Sequence, residues 1–202
     1  DFNGDGKSDL LWRNTSSGQN QAWFMDGATV TGTAQLSYGA VPQEWQIFGT
    51  GDFDGNGKSD ILWRNTSSGQ VVMWFMNGVT FSNLAFTSVP SVPLEWQIVG
   101  VGNFNGDTKA DILWHNTSNG ANYVWYMNGS TMTGGAYLSA SNAPTGVSGT
   151  TADFTGDGKT DIVWRNTSTG SLELWTMDGV TRTGVQALSA QGADGNWQPF
   201  AA

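Results

Sequence analysis

The 202-residue chain contains no cysteine and a single histidine, His115. Without cysteine there is no disulfide framework, no thiolate nucleophile and no thiolate zinc site. One histidine cannot furnish a repeated Ser–His–Asp constellation. Positive charge is also scarce: 8 Lys and Arg against 17 Asp and Glu leave a net charge of -9. With no basic patch, nucleic acid is not expected as a partner. No apolar run approaches transmembrane length, which argues against membrane insertion. Runs of Ala, Leu, Glu and Lys that favour helices are missing, whereas glycine is abundant at 28 residues. With 38% apolar residues, 11 Trp and 10 Phe, the chain has the material for a substantial core. This composition reads as all-β with many tight turns.

The chain is organised around a nine-residue loop, Asp52-Phe53-Asp54-Gly55-Asn56-Gly57-Lys58-Ser59-Asp60, which runs into Ile61-Leu62-Trp63-Arg64-Asn65-Thr66-Ser67. Oxygen-bearing side chains stand at loop positions 1, 3, 5 and 9, with glycines between them. Such a loop can curl its oxygens around one point, as a hard cation such as Ca²⁺ requires. It is not an EF-hand, which needs twelve positions and a terminal Glu.

The loop recurs from Asp1, Asp52, Asn103 and Asp153, at spacings of 51, 51 and 50 residues. Leu11-Trp12-Arg13-Asn14-Thr15-Ser16 returns with Leu62, with Leu113 (where His115 replaces the arginine) and with Val163. Trp23-Phe24-Met25-Asp26-Gly27 returns from Trp74, Trp125 and Trp175. A period of this length, built of short apolar runs and glycine turns, marks a propeller or solenoid array. Eleven acids lie inside the four loops: Asp1, Asp5, Asp9, Asp52, Asp54, Asp60, Asp107, Asp111, Asp153, Asp157 and Asp161. Four divalent ions would therefore bring the protein close to neutrality.

Each unit reads as four strands. In the second, Trp45–Gly51 is an inner strand, Ile61–Arg64 follows the loop, Val71–Met76 follows an Asn-Thr-Ser turn, and Thr80–Ser88 is outermost. Four strands per unit with short radial connections is a β-propeller blade. The expected fold is a single domain over residues 1–202, a four-bladed β-propeller with four antiparallel strands per blade. Trp197-Gln198-Pro199-Phe200 aligns with Trp45-Gln46-Ile47-Phe48, so the C-terminal strand is expected to complete the first blade. Closure as a monomer and closure as a two-chain ring both satisfy that arrangement. A start at Asp1 rather than Met points to a processed or trimmed chain.

These residues resemble the FG-GAP repeats, also called VCBS-type, of integrin-α-like propellers and many secreted bacterial proteins. The resemblance covers essentially the whole chain. It implies one Ca²⁺ per blade, up to four, held by loop positions 1, 3, 5 and 9 and the carbonyl of position 7. The first set is Asp1, Asn3, Asp5, Asp9 and Lys7. The second is Asp52, Asp54, Asn56, Asp60 and Lys58. Asn103, Asn105, Asp107, Asp111 and Lys109 form the third, and Asp153, Thr155, Asp157, Asp161 and Lys159 the fourth. The third set has two carboxylates and Thr108 in place of glycine, so it is expected to bind most weakly. If position 6 needs a positive φ, a threonine there costs about 1 kcal/mol or more. A structural role for the ion is favoured over a catalytic one, because every ligand comes from one loop.

The eight tryptophans of the second and third strands read as core. Trp45, Trp96 and Trp197 begin inner strands at the rim opposite the loops and are candidates for ligand contact, with Gly146 at the fourth such position. An aromatic side chain there can stack on a sugar or anchor a protein. Arg13, Arg64, Arg165 and His115 share one slot and read as interblade clamps. Asn14, Asn65, Asn116, Asn128 and Asn166 begin sequons but read as turn residues. No catalytic constellation emerges: acids outside the loops are scattered, with no glycosidase spacing. The expected function is a secreted or cell-surface binding module for glycan or protein ligands. Its rivals are a self-assembling scaffold and a polysaccharide-active enzyme propeller.

Overall fold

In a computed structural model, residues 1–139 and 146–188 are described. They contain fifteen β-strands and no helix, hence none long and apolar enough to cross a membrane. The fold class is the expected one: all-β, with four blades of a four-bladed β-propeller. The first blade comprises β1 (Leu10–Arg13), β2 (Asn20–Asp26) and β3 (Thr29–Gln35). In the second are β4 (Trp45–Gly51), β5 (Asp60–Asn65), β6 (Val71–Asn77) and β7 (Thr80–Phe86). β8 (Trp96–Gly102), β9 (Asp111–Asn116), β10 (Asn122–Asn128) and β11 (Thr131–Tyr137) form the third. The fourth is β12 (Val147–Ala152), β13 (Asp161–Asn166), β14 (Leu172–Asp178) and β15 (Thr181–Leu188). Each is an antiparallel meander in chain order. The expected closing strand, from Trp197, lies outside the described residues.

Two compact units are present. Asp1–Leu94 with the hairpin tip Asn128–Thr131 forms one, and Glu95–Met127 with the chain from Met132 forms the other. In the first unit, Phe2, Ile61, Trp63, Trp74 and Met76 are buried together, with Leu11, Trp45 and Ile47 packed against them. In the second, Phe104, Leu113, Ile162, Trp164 and Trp175 make the corresponding cluster. Strands β5, β9 and β13 are buried along nearly their whole length, and their central Ile-Leu-Trp or Ile-Val-Trp runs are covered on both faces.

The Asn-Thr-Ser turns close by side-chain mimicry of the backbone. Asn65 Oδ1 accepts the N–H groups of Ser67 and Ser68, both at 2.9 Å. Gly69 then turns back at φ +73°, and a Cβ there would lie 2.0 Å from the Val92 carbonyl oxygen. Gly18 repeats this against Val41. Only glycine meets both demands.

Inner strands β4 and β8 each carry a bulge, at Phe48 and Val99, where the register to the next strand skips one residue. β12 pairs with β13 without interruption. The missing bulge residue accounts for the spacing of 50 rather than 51. It also corrects the alignment of the rim: Val147 pairs with Asn166 as Trp45 pairs with Asn65 and Trp96 with Asn116. Gly146 stands instead where Glu44 and Glu95 stand, its carbonyl accepting Thr167 N–H at 2.9 Å as Glu44 accepts Thr66 at 2.8 Å.

Candidate metal loops and aromatic rim

All four loops are built from carboxylates and amides that accept the loop's own N–H groups. In the second, Asp52 Oδ1 accepts Gly55 N–H at 2.7 Å and Asn56 N–H at 3.0 Å, and its Oδ2 accepts Gly57 N–H at 2.8 Å. Asp54 Oδ1 takes Asn56 N–H at 3.1 Å, and Asn56 Oδ1 takes Lys58 N–H at 2.8 Å. Asp1 and Asp153 organise their loops in the same way. Asn3 and Asn105 repeat the role of Asp54, and Asp5, Asp107 and Asp157 that of Asn56. Thr155 brings only a hydroxyl to its position.

The ninth residue ties loop to sheet. Asp60 is fully buried, its Oδ2 accepting Phe53 N–H at 3.0 Å and its Oδ1 accepting Met76 N–H at 2.8 Å. Asp9, Asp111 and Asp161 make the same two bonds, to Phe2 and Met25, to Phe104 and Met127, and to Phe154 and Met177. The recurring methionine sixteen residues on is thus a backbone anchor for each loop. Sequence reasoning took that segment only as strand, although its constant offset was visible.

Burial pushes Asp60 up to about 6, against the two backbone bonds that favour its charge; Asp54 nearby adds to the rise. Asp111 is pushed up to about 6 by burial too, with Asp107 beside it. Asp5 and Asp153, at the surface, are held below the usual carboxylate range chiefly by backbone hydrogen bonds, from Lys7 and Gly158 respectively.

Oxygens of Asp52, Asp54 and Asp60 all lie within 4.8 Å of one another. Among the described residues this is the one group of three Asp, Glu or His side chains so close. Its chemistry suits a hard cation: oxygen donors only, three of them carboxylates, one out of reach of solvent.

The third loop departs where the sequence indicated. Thr108 has φ +115°, the sole non-glycine with positive φ among the described residues; its counterparts Gly6, Gly57 and Gly158 have φ of 80° to 82°. Asn103 offers one oxygen, which accepts Gly106 N–H at 2.8 Å. The first residue's second oxygen, which receives the sixth residue's N–H in the other loops, is missing. The two substitutions fall on the two ends of one hydrogen bond.

At the opposite rim, Trp45 and Trp96 are partly buried, and Trp197 lies outside the described residues. Trp45 meets Phe86 edge-on, with ring centroids 6.2 Å apart, and Phe86 is 51% exposed. Six of the eight tryptophans assigned to the core are buried there, at 7% exposure or less, and Trp23 is partly buried. Trp12 departs, at 48% exposure, because among the described residues no strand covers the free side of β1.

The arginine slot is a carbonyl clamp. Arg13 Nη2 donates to Val41 O at 2.9 Å and Pro42 O at 3.0 Å, with the guanidinium 5.0 Å over the Trp63 ring. Arg64 Nη2 donates to Val92 O and Pro93 O at 3.2 and 3.1 Å. His115 is too short to repeat this. Its Nδ1 meets Asn122 Oδ1 at 2.8 Å and its ring packs 5.3 Å from that of Trp164. His115 Nε2 and Asn122 Nδ2 are buried without hydrogen-bond partners. Burial lowers the His115 pKa, and the Asn122 bond offsets part of that.

The FG-GAP-like repeat family matches residues 1–63, 52–114 and 103–164, and the chain belongs to that family. No curated protein matches it. Among solved structures, a lectin of Agrocybe aegerita that recognises non-reducing terminal N-acetylglucosamine aligns over 93% of this chain and 50% of its own, with 16% identity and a TM-score of 0.57. A protein of unknown function from Bacteroides caccae aligns over 88% and 56%, at 12% identity and a TM-score of 0.47. The Tc holotoxin pore of Photorhabdus luminescens aligns over 96% and 12%, at 14% identity and a TM-score of 0.46. The chain thus spans about half the lectin's length, and the likeness is one of fold.

Proposed function

We propose that this chain is a secreted, non-catalytic binding module whose blades are stapled by Ca²⁺ and whose rim recognises a glycan or a protein. The observation that carries the reading is the crowding of Asp52, Asp54 and Asp60 within 4.8 Å, one of them fully buried. A divalent cation there would neutralise charges that otherwise repel, with Asn56 and the Lys58 carbonyl completing an all-oxygen set. FG-GAP repeats are often calcium-binding and their proteins often extracellular, which agrees with both parts of the proposal. The ion would be structural: it would fix the loop that Asp60 ties to the sheet, with all its ligands drawn from that one loop.

Recognition would fall to the other rim, where Trp45 and Phe86 offer aromatic surface beside an ordered turn. The fold is shared with a lectin, which supports glycans as the first ligands to try. A glycan array probed with and without EDTA tests recognition and metal dependence together. Binding lost in EDTA and in Trp45→Ala is the expected result. Calorimetry that detects no calcium uptake would refute the metal assignment, and a silent array would refute glycan recognition.

A further inference from the structure

Six Asn-Gly pairs occur in the chain: Asn3-Gly4, Asn56-Gly57, Asn77-Gly78, Asn105-Gly106, Asn119-Gly120 and Asn128-Gly129. Such a pair is chemically labile, because glycine leaves the nitrogen that follows the asparagine unshielded and free to turn onto the side-chain carbon. A hydrogen bond from that same N–H suppresses the reaction, since ring closure has to break it. Five of the six are held in this way. Gly4 N–H donates to Asp1 Oδ1 at 2.7 Å, Gly57 to Asp52 Oδ2 at 2.8 Å and Gly106 to Asn103 Oδ1 at 2.8 Å. Gly120 donates to Asn116 O at 2.8 Å and Gly129 to Phe53 O at 2.9 Å. Gly78 is the exception: its N–H has no hydrogen-bond partner among the described residues.

Asn77 ends β6 at an exposed hairpin tip, where water has access. Its Oδ1 accepts Lys58 Nζ at 2.6 Å. An ammonium so placed draws electrons from the amide carbon and stabilises the negative charge that grows on the oxygen under attack. The first and fourth blades carry aspartate at this position, with Lys7 Nζ 2.9 Å from Asp26 and Lys159 Nζ 3.0 Å from Asp178. The fold therefore already accommodates a carboxylate at this tip, against the equivalent lysine.

We propose that Asn77 is a site of spontaneous deamidation, singled out from the five other Asn-Gly pairs by the unengaged Gly78 N–H and activated by Lys58. The Gly78 nitrogen bonds to Asn77 Cγ, the Cγ–Nδ2 bond breaks, and Nδ2 leaves as ammonia with the proton that Gly78 gives up. The product is a succinimide ring, which water then opens. Cleavage of the new bond between the Gly78 nitrogen and Cγ leaves aspartate, which pairs with Lys58 as Asp26 does with Lys7. Cleavage of the bond to the Asn77 main-chain carbonyl carbon leaves isoaspartate instead. Its extra backbone carbon falls where Asn77 pairs with Thr80. Water is the only reactant needed.

Peptide mapping by mass spectrometry tests this on the folded chain, incubated at mildly alkaline pH and sampled over time. Asn77 should convert several-fold faster than any of the other five; equal rates, or a lead for another pair, overturn the proposal. In urea the five protecting hydrogen bonds are lost, so all six rates should converge. A lead for Asn77 that persists there would come from local sequence alone, which overturns the structural selection. Lys58→Met should slow conversion at Asn77 several-fold while leaving the distant Asn119 unchanged. An unchanged rate at Asn77 in that variant overturns the activation by Lys58.

Discussion

The third loop offers a quantitative experiment, because Asn103 and Thr108 replace the two partners of one hydrogen bond. In the other loops a glycine at φ of 80° to 82° presents its N–H to the second oxygen of the leading aspartate, at 2.8 Å each time. Thr108 has been pushed to φ +115° instead. Thr108→Gly should relieve about 1–2 kcal/mol of left-handed strain, offset by about 0.5–1 kcal/mol of extra backbone entropy. The net is a stabilisation of up to about 1.5 kcal/mol. Asn103→Asp alone gains little, since the N–H it would receive is misdirected and the new charge faces Asp107 and Asp111. Together the two changes restore the bond, and a charge-assisted hydrogen bond contributes about 1.5–3 kcal/mol when well shielded, less at this exposed loop. The double variant should therefore exceed the sum of the singles by about 1 kcal/mol. Urea unfolding in saturating calcium, arranged as a double-mutant cycle, measures the coupling directly. Calcium titration should show a parallel gain in affinity. Additivity within about 0.3–0.5 kcal/mol would mean the two positions do not communicate and would refute the reasoning.

Asp60→Ala should destabilise the first unit by about 2–4 kcal/mol even without calcium, by stranding the N–H groups of Phe53 and Met76, each of which costs about 1–3 kcal/mol unpaired; chemical denaturation in EDTA checks this. Gly69→Ala should lose at least about 2 kcal/mol, since the new methyl enters the Val92 carbonyl and φ is positive; a melt unchanged from the parent would contradict the turn geometry. His115 makes stability pH-dependent. Its folded pKa is lowered, so its contribution is complete above the unfolded value of 6.5 and is lost as pH falls through the folded one. Between about pH 7.5 and 5 the parent should lose more stability than His115→Gln, as read by melts of both across that range.

Much of the candidate site was legible in the sequence, because the oxygen-bearing side chains of each loop come from one short segment and the period repeats it four times. The strained third loop could be foreseen from Thr108 alone, since glycine's freedom at positive φ has a sequence signature. The arginine slot was recognisable as a clamp from its recurrence, though not its carbonyl partners, which lie 28 and 29 residues away. Two readings failed, each for its own reason. The bulges at Phe48 and Val99 are backbone events with no fixed residue type, so counting back from Asp153 put Gly146 in the place that Val147 holds. Trp12 was assigned to the core because its equivalents are there, but its burial depends on a strand that its own repeat does not contain. Local chemistry travels with the residue; cover from a distant strand does not.

The uninterrupted pairing of β12 with β13 bears on how such arrays vary. A blade can shed one residue at the bulge while the acidic loop, the Asn-Thr-Ser hairpin and the methionine anchor all keep their mutual offsets. The elastic point of the module is therefore its innermost ribbon, and insertions or deletions engineered there should be absorbed where the same change inside the loop would not be. Anyone splicing blades from one array into another has, at Phe48 and Val99, a joint that tolerates a mismatch of one.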